Sequence, residues 1–453
     1  MQTSAESVGL RALEEALVET ARLRRDDLIQ TTAALVRIPS ENTPPTGGEQ
    51  DCQKLVFSRL RSLGIPAEMY LIGSVPGLTS HTEFRPGRDY TSRPNIAGVI
   101  SGSGGGRSLI LSGHIDTVPR GSLPWARDPF AAAVESNRLY GLGANDMKGG
   151  VGVILSVVRI LKEAGVVLRG DLHVETVVDE EFGGVNGTLA ARLRGPKADA
   201  AIICEPTSQA ICPAQTGGRT AHFRLKVEGS GILYEGGSPA QVTGPLAYLL
   251  AAVEDFARQR RASSPGHPLY AHSHDPVPVW ITRIYMGGWG YLDPQTLPSS
   301  CNVEIYWQAM PGEAQESIDR EFFGWLDAMV QARPDLFTPR PEVSFPFRWL
   351  PGSALDPAHP LVTELAEACS ATAGQAPPVE GIAGPCDMYL FHQHFDIPAV
   401  LFGPGGGNTH APDEWVDLDS QQLTVEALLR FICRWCEVDL RRSAPFGPAQ
   451  AKS

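Results

Sequence analysis

Residues 109–119 read LILSGHIDTVP, a buried-strand pattern that delivers His114 and Asp116 at its carboxyl end. Spacing i, i+2 puts both side chains on one face of a strand. Two further segments follow the same grammar. Val174–Gly184 reads VETVVDEEFGG and runs out into Asp179-Glu180-Glu181, and Ile202–Thr207 reads IICEPT and ends in Glu205. Between them, Gly141–Gly150 (GLGANDMKGG) places Asp146 in a glycine-rich loop just ahead of a helix. Short strands apolar on both faces, separated by helical stretches, predict a mostly parallel α/β sheet covered on both sides. Such sheets carry their sites at the carboxyl ends of the strands.

Outward from this core, the period of the apolar residues predicts helices over Leu10–Val36, Cys52–Leu63, Val151–Leu161 and Gly187–Leu193. Strands are predicted at Ala97–Ser101, Ser108–Ser112, Leu172–Val178 and Ala200–Cys204, with SGSGGGR at 101–107 read as a hairpin. From about Thr216 the texture changes to β-α-β-β-α-β: alternation at His222–Val227, Ile281–Met286, Val303–Trp307 and Val343–Phe347, and helical spacing at Leu246–Phe256 and Ile318–Val330. That order suits a small antiparallel sheet with two helices on one face. The α/β texture resumes near Pro351, with helices at Leu361–Thr372 and Gln421–Cys436 and a strand at Ala399–Phe402. The chain therefore divides into a discontinuous α/β domain, 1–215 and 350–453, and an inserted α+β domain, 216–349.

Composition excludes several roles. With 453 residues, 42 % apolar and 20 % charged, there is ample core and no signature of disorder. A net charge of −13 argues against nucleic acid or anionic membrane as a partner. No apolar run approaches the ~20 residues of a membrane span, and Glu14 and Glu15 stand where a signal peptide would be apolar. Eight irregularly spaced cysteines form no disulfide framework, and Cys433-x-x-Cys436 reads as helix packing. A cytoplasmic globular protein is expected.

Leu401–Trp415 (LFGPGGGNTHAPDEW) adds a loop bearing His410. Two histidines and three carboxylates suffice for two zinc ions ~3.5–4 Å apart that share a bridging carboxylate. The five segments together resemble the di-zinc amidohydrolases and exopeptidases that include acetylornithine deacetylase, succinyl-diaminopimelate desuccinylase, glutamate carboxypeptidase and aminoacylase. The resemblance spans nearly the whole chain and implies a zinc-peptidase-like catalytic domain with a ferredoxin-like lid. It implies that Asp146 bridges the metals, that His114 and Glu205 complete one ion, and that Glu181 and His410 complete the other. It further implies Glu180 as general base, Asp116 as the partner orienting His114, and Glu414 as the acid that follows the last histidine ligand. Homodimerisation through the inserted domain and closure of the lid over the site are implied in the same way. The metal is zinc on this reading, with cobalt or manganese compatible with a mixed His/carboxylate set.

The inserted domain departs from the family pattern. Where many members carry His-x-Gly-x-x-Pro, this chain has Tyr234-Glu235-Gly236-Gly237-Ser238-Pro239, and the arginine of Arg-x-x-Pro-Gly is Gln308. A phenol donates a hydrogen bond but supplies no positive charge, and the bidentate arginine fork is missing. The expected substrate either lacks a free α-carboxylate or is held by other groups, such as Arg219, Arg283 or the His267/His272/His274 cluster. The resulting expectation is a deacylase freeing a small amine or amino acid. A carboxypeptidase or dipeptidase and a catalytically silent ligand-binding homologue are the alternatives.

Overall fold

The computed structural model describes residues 4–228, 240–286 and 297–443. The chain begins with α1 (Ser4–Leu23), α2 (Arg25–Val36), α3 (Gln50–Ser62), β1 (Ala67–Leu71), β2 (Pro94–Ile100) and β3 (Leu109–His114). It continues with α4 (Gly149–Glu163), β4 (Leu172–Val177), α5 (Asn186–Arg194), β5 (Ala200–Ile203) and β6 (Ile211–Gln215). Then come β7 (Gly217–Lys226), α6 (Thr243–Ser263), β8 (Val279–Tyr285), β9 (Ser300–Ala309), α7 (Gln315–Ala332) and β10 (Glu342–Ser344). Last are α8 (Pro360–Ala373), α9 (Met388–His394), β11 (Ala399–Leu401) and α10 (Leu418–Trp435). Residues up to Pro213, with Leu355–Glu380 and everything from Asp387 on, make one compact unit; Ala214–Ala354 with Gly381–Cys386 make the second.

In the first unit the strand order is β6-β11-β5-β3-β4-β2-β1. Its centre, β11, β5, β3 and β4, is parallel, and the flanking pairs are antiparallel. The α/β expectation is met, with antiparallel edges added. Parallel register aligns the strand ends: His114 lies opposite Val177 and Ser112 opposite Ile203, so the segments that follow emerge on one side. Helix α4 reads GGVGVILSVVRILKE and is buried on nearly every face, as its composition requires. It closes onto the sheet because Gly150 has no side chain: a Cβ there would collide with the Cys204 carbonyl at the end of β5.

Two local expectations are corrected. The long helix over Leu10–Val36 is broken at Arg24, which leaves the helical region (φ −101°, ψ 19°). Asp26 and Asp27 then open α2, where the amino end of a new helix favours negative charge. The glycine-rich 101–107 segment closes no hairpin, because β4 pairs between β2 and β3. The segment instead lies on the backbone ahead of β4: Ser103 N donates to Leu168 O at 2.8 Å and Gly104 N to Arg169 O at 2.9 Å. Its glycines are required by that approach, since a Cβ at Gly102 or Gly106 would overlap backbone atoms of Arg169, Gly170 or Cys436.

The second unit is a four-stranded antiparallel sheet in the order β8-β9-β7-β10. With α6 and α7 in the crossovers, this is the ferredoxin-like arrangement that the pattern predicts. Its core is aromatic: Trp307 stacks on Phe322 (centroids 4.9 Å apart) and Phe256 on Trp325 (4.9 Å), and the Trp325 indole N–H donates to Ala252 O at 3.1 Å.

Two glycine substitutions separate close packing from backbone entropy. Gly150→Ala is expected to cost about 1–3 kcal/mol by overpacking. Gly324→Ala, in α7 with nothing near its Cβ position, should stabilise by up to ~1 kcal/mol. Denaturant midpoints of the two variants check both signs.

Candidate metal centre

The residues of the cluster all belong to the first unit. Strand β3 ends in buried His114, whose Nδ1 lies 2.9 Å from the backbone oxygen of Asp116. A carbonyl only accepts, so Nδ1 carries a proton and Nε2 is the nitrogen turned to the acids. From Nε2 the distances are 3.0 Å to Asp146 Oδ1, 3.8 Å to Glu205 Oε1 and 4.0 Å to Glu180 Oε2. On the other side, His410 Nε2 lies 3.2 Å from Glu181 Oε2 and 3.4 Å from Asp146 Oδ2. Asp146 thus stands between the two imidazoles with one oxygen toward each. Ligand atoms of His114, Asp146 and Glu181 all fall within 4.8 Å of one another. His114, Asp146, Glu180, Glu181, Glu205 and His410, which lie up to 296 positions apart in sequence (410 − 114), are brought together.

Each side chain is fixed locally. The segment carrying Asp146 is one wide turn, Ala144–Lys148, entered through Gly143 at φ 74°. Glu414 holds it: its carboxylate accepts from the backbone N–H of Gly143 (2.6 Å), Asn145 (2.9 Å) and Asp146 (2.9 Å). Strand pairing of Trp415–Asp417 with Arg138–Tyr140 brings Glu414 there. His410 sits in the left-handed region (φ 59°) with its ring half-exposed.

The carboxylate of Asp116, expected to orient His114, serves the neighbouring loop instead. Its Oδ1 lies 3.7 Å from Nδ1, too far for a hydrogen bond, and the backbone oxygen makes that contact instead. The carboxylate accepts from Glu180 N (3.2 Å), Glu181 N (3.1 Å) and Asn42 Nδ2 (2.9 Å), which pins the acidic pair to the end of β3.

Several groups escaped the sequence. Asn42, Tyr90 and Arg93 surround Asp179, and buried Asp387 accepts from Thr188 Oγ1 at 2.5 Å. None belongs to a spaced motif; the only hint was the polar Arg93 and Asn95 about an otherwise apolar strand start. Conversely, Tyr234 lies outside the described residues. In the second unit, Gln308 is buried and donates through Nε2 to Ala383 O at 3.1 Å. Arg219 is engaged there by both oxygens of Asp319 (3.0 Å each) and covers the Phe345 ring. Arg283 lies 3.7 Å from Glu304, and His267 caps a short turn by accepting from Leu269 N.

The electrostatics state what the cluster is built to hold. Burial drives Glu205 up to about 8 and Asp387 up to about 7, with neighbouring acids adding to the shift. Burial likewise lifts Glu180 well above the carboxylate range and raises Glu181. Burial opposes the charged imidazoles, yet Glu181 and Asp146 push His410 to about 11 and Glu205 and Asp146 hold His114 well above its usual value. Asp146, facing both rings, is lowered despite its burial. Acids this close in a desolvated pocket can all ionise only beside added positive charge. Divalent cations supply it, and mixed imidazole and carboxylate donors are the set that borderline cations prefer. The residues fit metal.

A family model, peptidase family M20/M25/M40, matches residues 110–434. The chain belongs to that family. It is thus a member of a family of hydrolases acting on amide bonds. Among relatives, the N-formyl-4-amino-5-aminomethyl-2-methylpyrimidine deformylase of Bacillus subtilis is 24 % identical over 439 residues, covering 91 % of this chain and 95 % of that one. The succinyl-diaminopimelate desuccinylase of Gluconobacter oxydans is 28 % identical over 379 residues, covering 81 % and 91 %. The fold of the M20 chain is shared with the dipeptidase Dug1p of Saccharomyces cerevisiae, at a TM-score of 0.74 and 14 % identity over 94 % of this chain and 98 % of that one.

The shifts set a pH dependence for the metal-free protein. Glu205, Asp387 and Glu414 (up to about 7, by burial) have folded pKa values above their unfolded ones, as have both histidines. The stability tied to them is complete below the unfolded values and is lost as pH rises through the folded ones. The melting temperature of chelator-treated protein should therefore fall steadily from about pH 6 to about pH 9. Zinc should reverse that slope, because it binds the deprotonated ligands.

Proposed function

We propose that this M20 protein is a deacylase that frees a small amine from its N-acyl form, with a pair of divalent cations held by His114, Asp146, Glu181, Glu205 and His410. On this reading Asp146 would serve both ions, His114 and Glu205 would hold one, and Glu181 and His410 would hold the other. Zinc is the metal proposed, for its tolerance of a mixed donor set. Bound there, two cations lower the pKa of a water to near neutrality and polarise the acyl carbonyl.

The observation that carries the proposal is the placement of Glu180. It is largely enclosed beside the cluster, its Oε2 4.0 Å from His114 Nε2, and it is not one of the five residues that this reading gives to the metals. A carboxylate so placed is free to take the proton of the attacking water and hand it to the nitrogen of the departing amine. Burial and neighbouring acids lift its affinity for that proton, which suits a group that must hold it between the two transfers. Asp116 and Glu414 touch no reacting atom on this reading; they fix the backbone that presents Glu180, Glu181 and Asp146.

The substrate proposed is an acylated amine without an α-carboxylate. Gln308 stands in place of an arginine and is already engaged with Ala383 O, and Arg219 is taken by Asp319. The name of the Bacillus subtilis relative denotes a formylated aminomethylpyrimidine, a compound with no carboxylate. N-formyl and N-acetyl derivatives of small uncharged amines are therefore the first class to assay, beside N-succinyl compounds, acylated amino acids and dipeptides. Turnover confined to carboxylate-free acyl amines supports the proposal, and preferential cleavage of dipeptides replaces it with a dipeptidase. Glu180→Gln should lower kcat about 10²–10⁴-fold with metal content unchanged; equal loss of metal would place Glu180 among the ligands instead.

A homodimer is proposed through the second unit. Among the described residues strand β8 is the edge of its sheet, and Trp280, Ile284 and Tyr285 on it are 53 %, 50 % and 63 % exposed. An unpaired apolar edge of this length invites pairing with another strand, and a second copy of the chain presents the same edge. Ile284→Lys should shift sedimentation from dimer to monomer without altering the fold; a monomeric wild type removes the proposal. Eight free cysteines, seven of them buried, favour a reducing compartment, so the cytoplasm is the location proposed.

A further inference from the structure

Consecutive side chains of an extended strand point to opposite faces. Glu180 and Glu181 nevertheless both reach the cluster: Glu180 Oε2 is 4.0 Å from His114 Nε2, and Glu181 Oε2 is 3.2 Å from His410 Nε2. The backbone breaks just before them, at Asp179, which is fully buried and held at φ 62°. That left-handed conformation costs a residue with a side chain free energy unless its surroundings impose it. The next glycine-assisted turn follows at once, since a Cβ at Gly184 would overlap the Asp179 carbonyl.

What imposes the conformation is visible in the Asp179 carboxylate. Tyr90 donates its hydroxyl to Oδ2 at 2.5 Å. Arg93 Nη2 lies 3.3 Å and Arg88 Nη1 3.5 Å from Oδ1. Asn42 Nδ2 lies 3.3 Å from Oδ1 and equally 3.3 Å from Glu181 O, so it ties the carboxylate to the turn. The donors are themselves braced. Arg93, with no exposed surface, is paired to buried Glu49, with contacts of 2.9 and 3.0 Å to Nε. The Tyr90 oxygen accepts from Asn186 Nδ2 at 2.5 Å at the start of α5.

We propose that Tyr90 and Arg93 are positioning residues for the acidic pair. By anchoring the Asp179 carboxylate they hold the left-handed turn that lets two adjacent carboxylates serve one site. Neither touches substrate or metal; both act through Asp179. The inference rests on the reading of Glu180 as base and Glu181 as ligand, and its test keeps the two separable.

The test is titration of the metal-free protein with cobalt, followed by visible absorption, in parallel with kinetics on acyl amides. Tyr90→Phe keeps the ring, which lies under the Arg93 guanidinium (5.4 Å), and removes only the hydroxyl. It should weaken cobalt binding ~10-fold and lower kcat by a similar factor, with KM unchanged. Asp179→Gly frees the backbone but deletes the anchor, and should lose ~100-fold in both; Asp179→Asn, which tolerates the left-handed turn and still accepts from Tyr90, should recover part of the loss. The proposal is overturned if Asp179→Gly binds cobalt like wild type, or if Tyr90→Phe lowers only the melting temperature. Should wild type cleave none of the acyl amides, the functional reading fails while the cobalt titration still decides this one. Should Asp179→Gly not fold, Tyr90→Phe and Asp179→Asn carry the decision.

Discussion

Carboxylates buried against one another repel, and the first unit of this protein is organised around that repulsion. Asp146, Glu180, Glu181 and Glu205 are desolvated together beside two imidazoles. A low-dielectric pocket tolerates such a group only with protons or cations to balance it. Protons reduce the cluster to a set of neutral acids. Divalent cations would keep it ionised and ordered, which is why the geometry suits a metal.

The structure spends a second layer of polar contacts to hold the acids where they repel. Asp116 accepts from the backbone of Glu180 and Glu181, and Glu414 from the backbone around Asp146. Each is a carboxylate satisfied by N–H groups, so backbone and not a mobile side chain sets the geometry. The arrangement also separates roles. Asp116 is adjacent to the cluster in sequence and space, yet its carboxylate serves the neighbouring loop while its backbone oxygen orients His114. The role that the family resemblance implied for Asp116 covers only the second of these.

The α/β sheet was legible because short strands that read as buried stop at polar, chemistry-bearing residues; β3, β4 and β5 all stop so. The second unit was legible from its alternation, and its sheet order follows from the β-α-β-β-α-β sequence of elements. The break at Arg24 was not, since apolar spacing continues across it. The 101–107 segment misled because glycines mark close backbone approach as readily as a turn, and the partner it approaches, Leu168–Gly170, is distant in sequence. Asn42, Tyr90, Arg93 and Asp387 carried no signal because each acts through a contact that no local spacing encodes.

By itself the sequence determined the class of fold and the family, and it marked the candidate ligands and a place to divide the chain, because periodicity and residue chemistry are local properties. Only the tertiary structure decided how Asp146 is shared between two imidazoles and which backbone groups fix the neighbouring acids. Those depend on strand order and loop crossing, which bring Asn42 to Asp116 and Asp179, Tyr90 to Asp179, and His410 to Glu181 across long separations in the chain. Repulsion among buried acids is resolved in three dimensions, and so the residues that resolve it are found there.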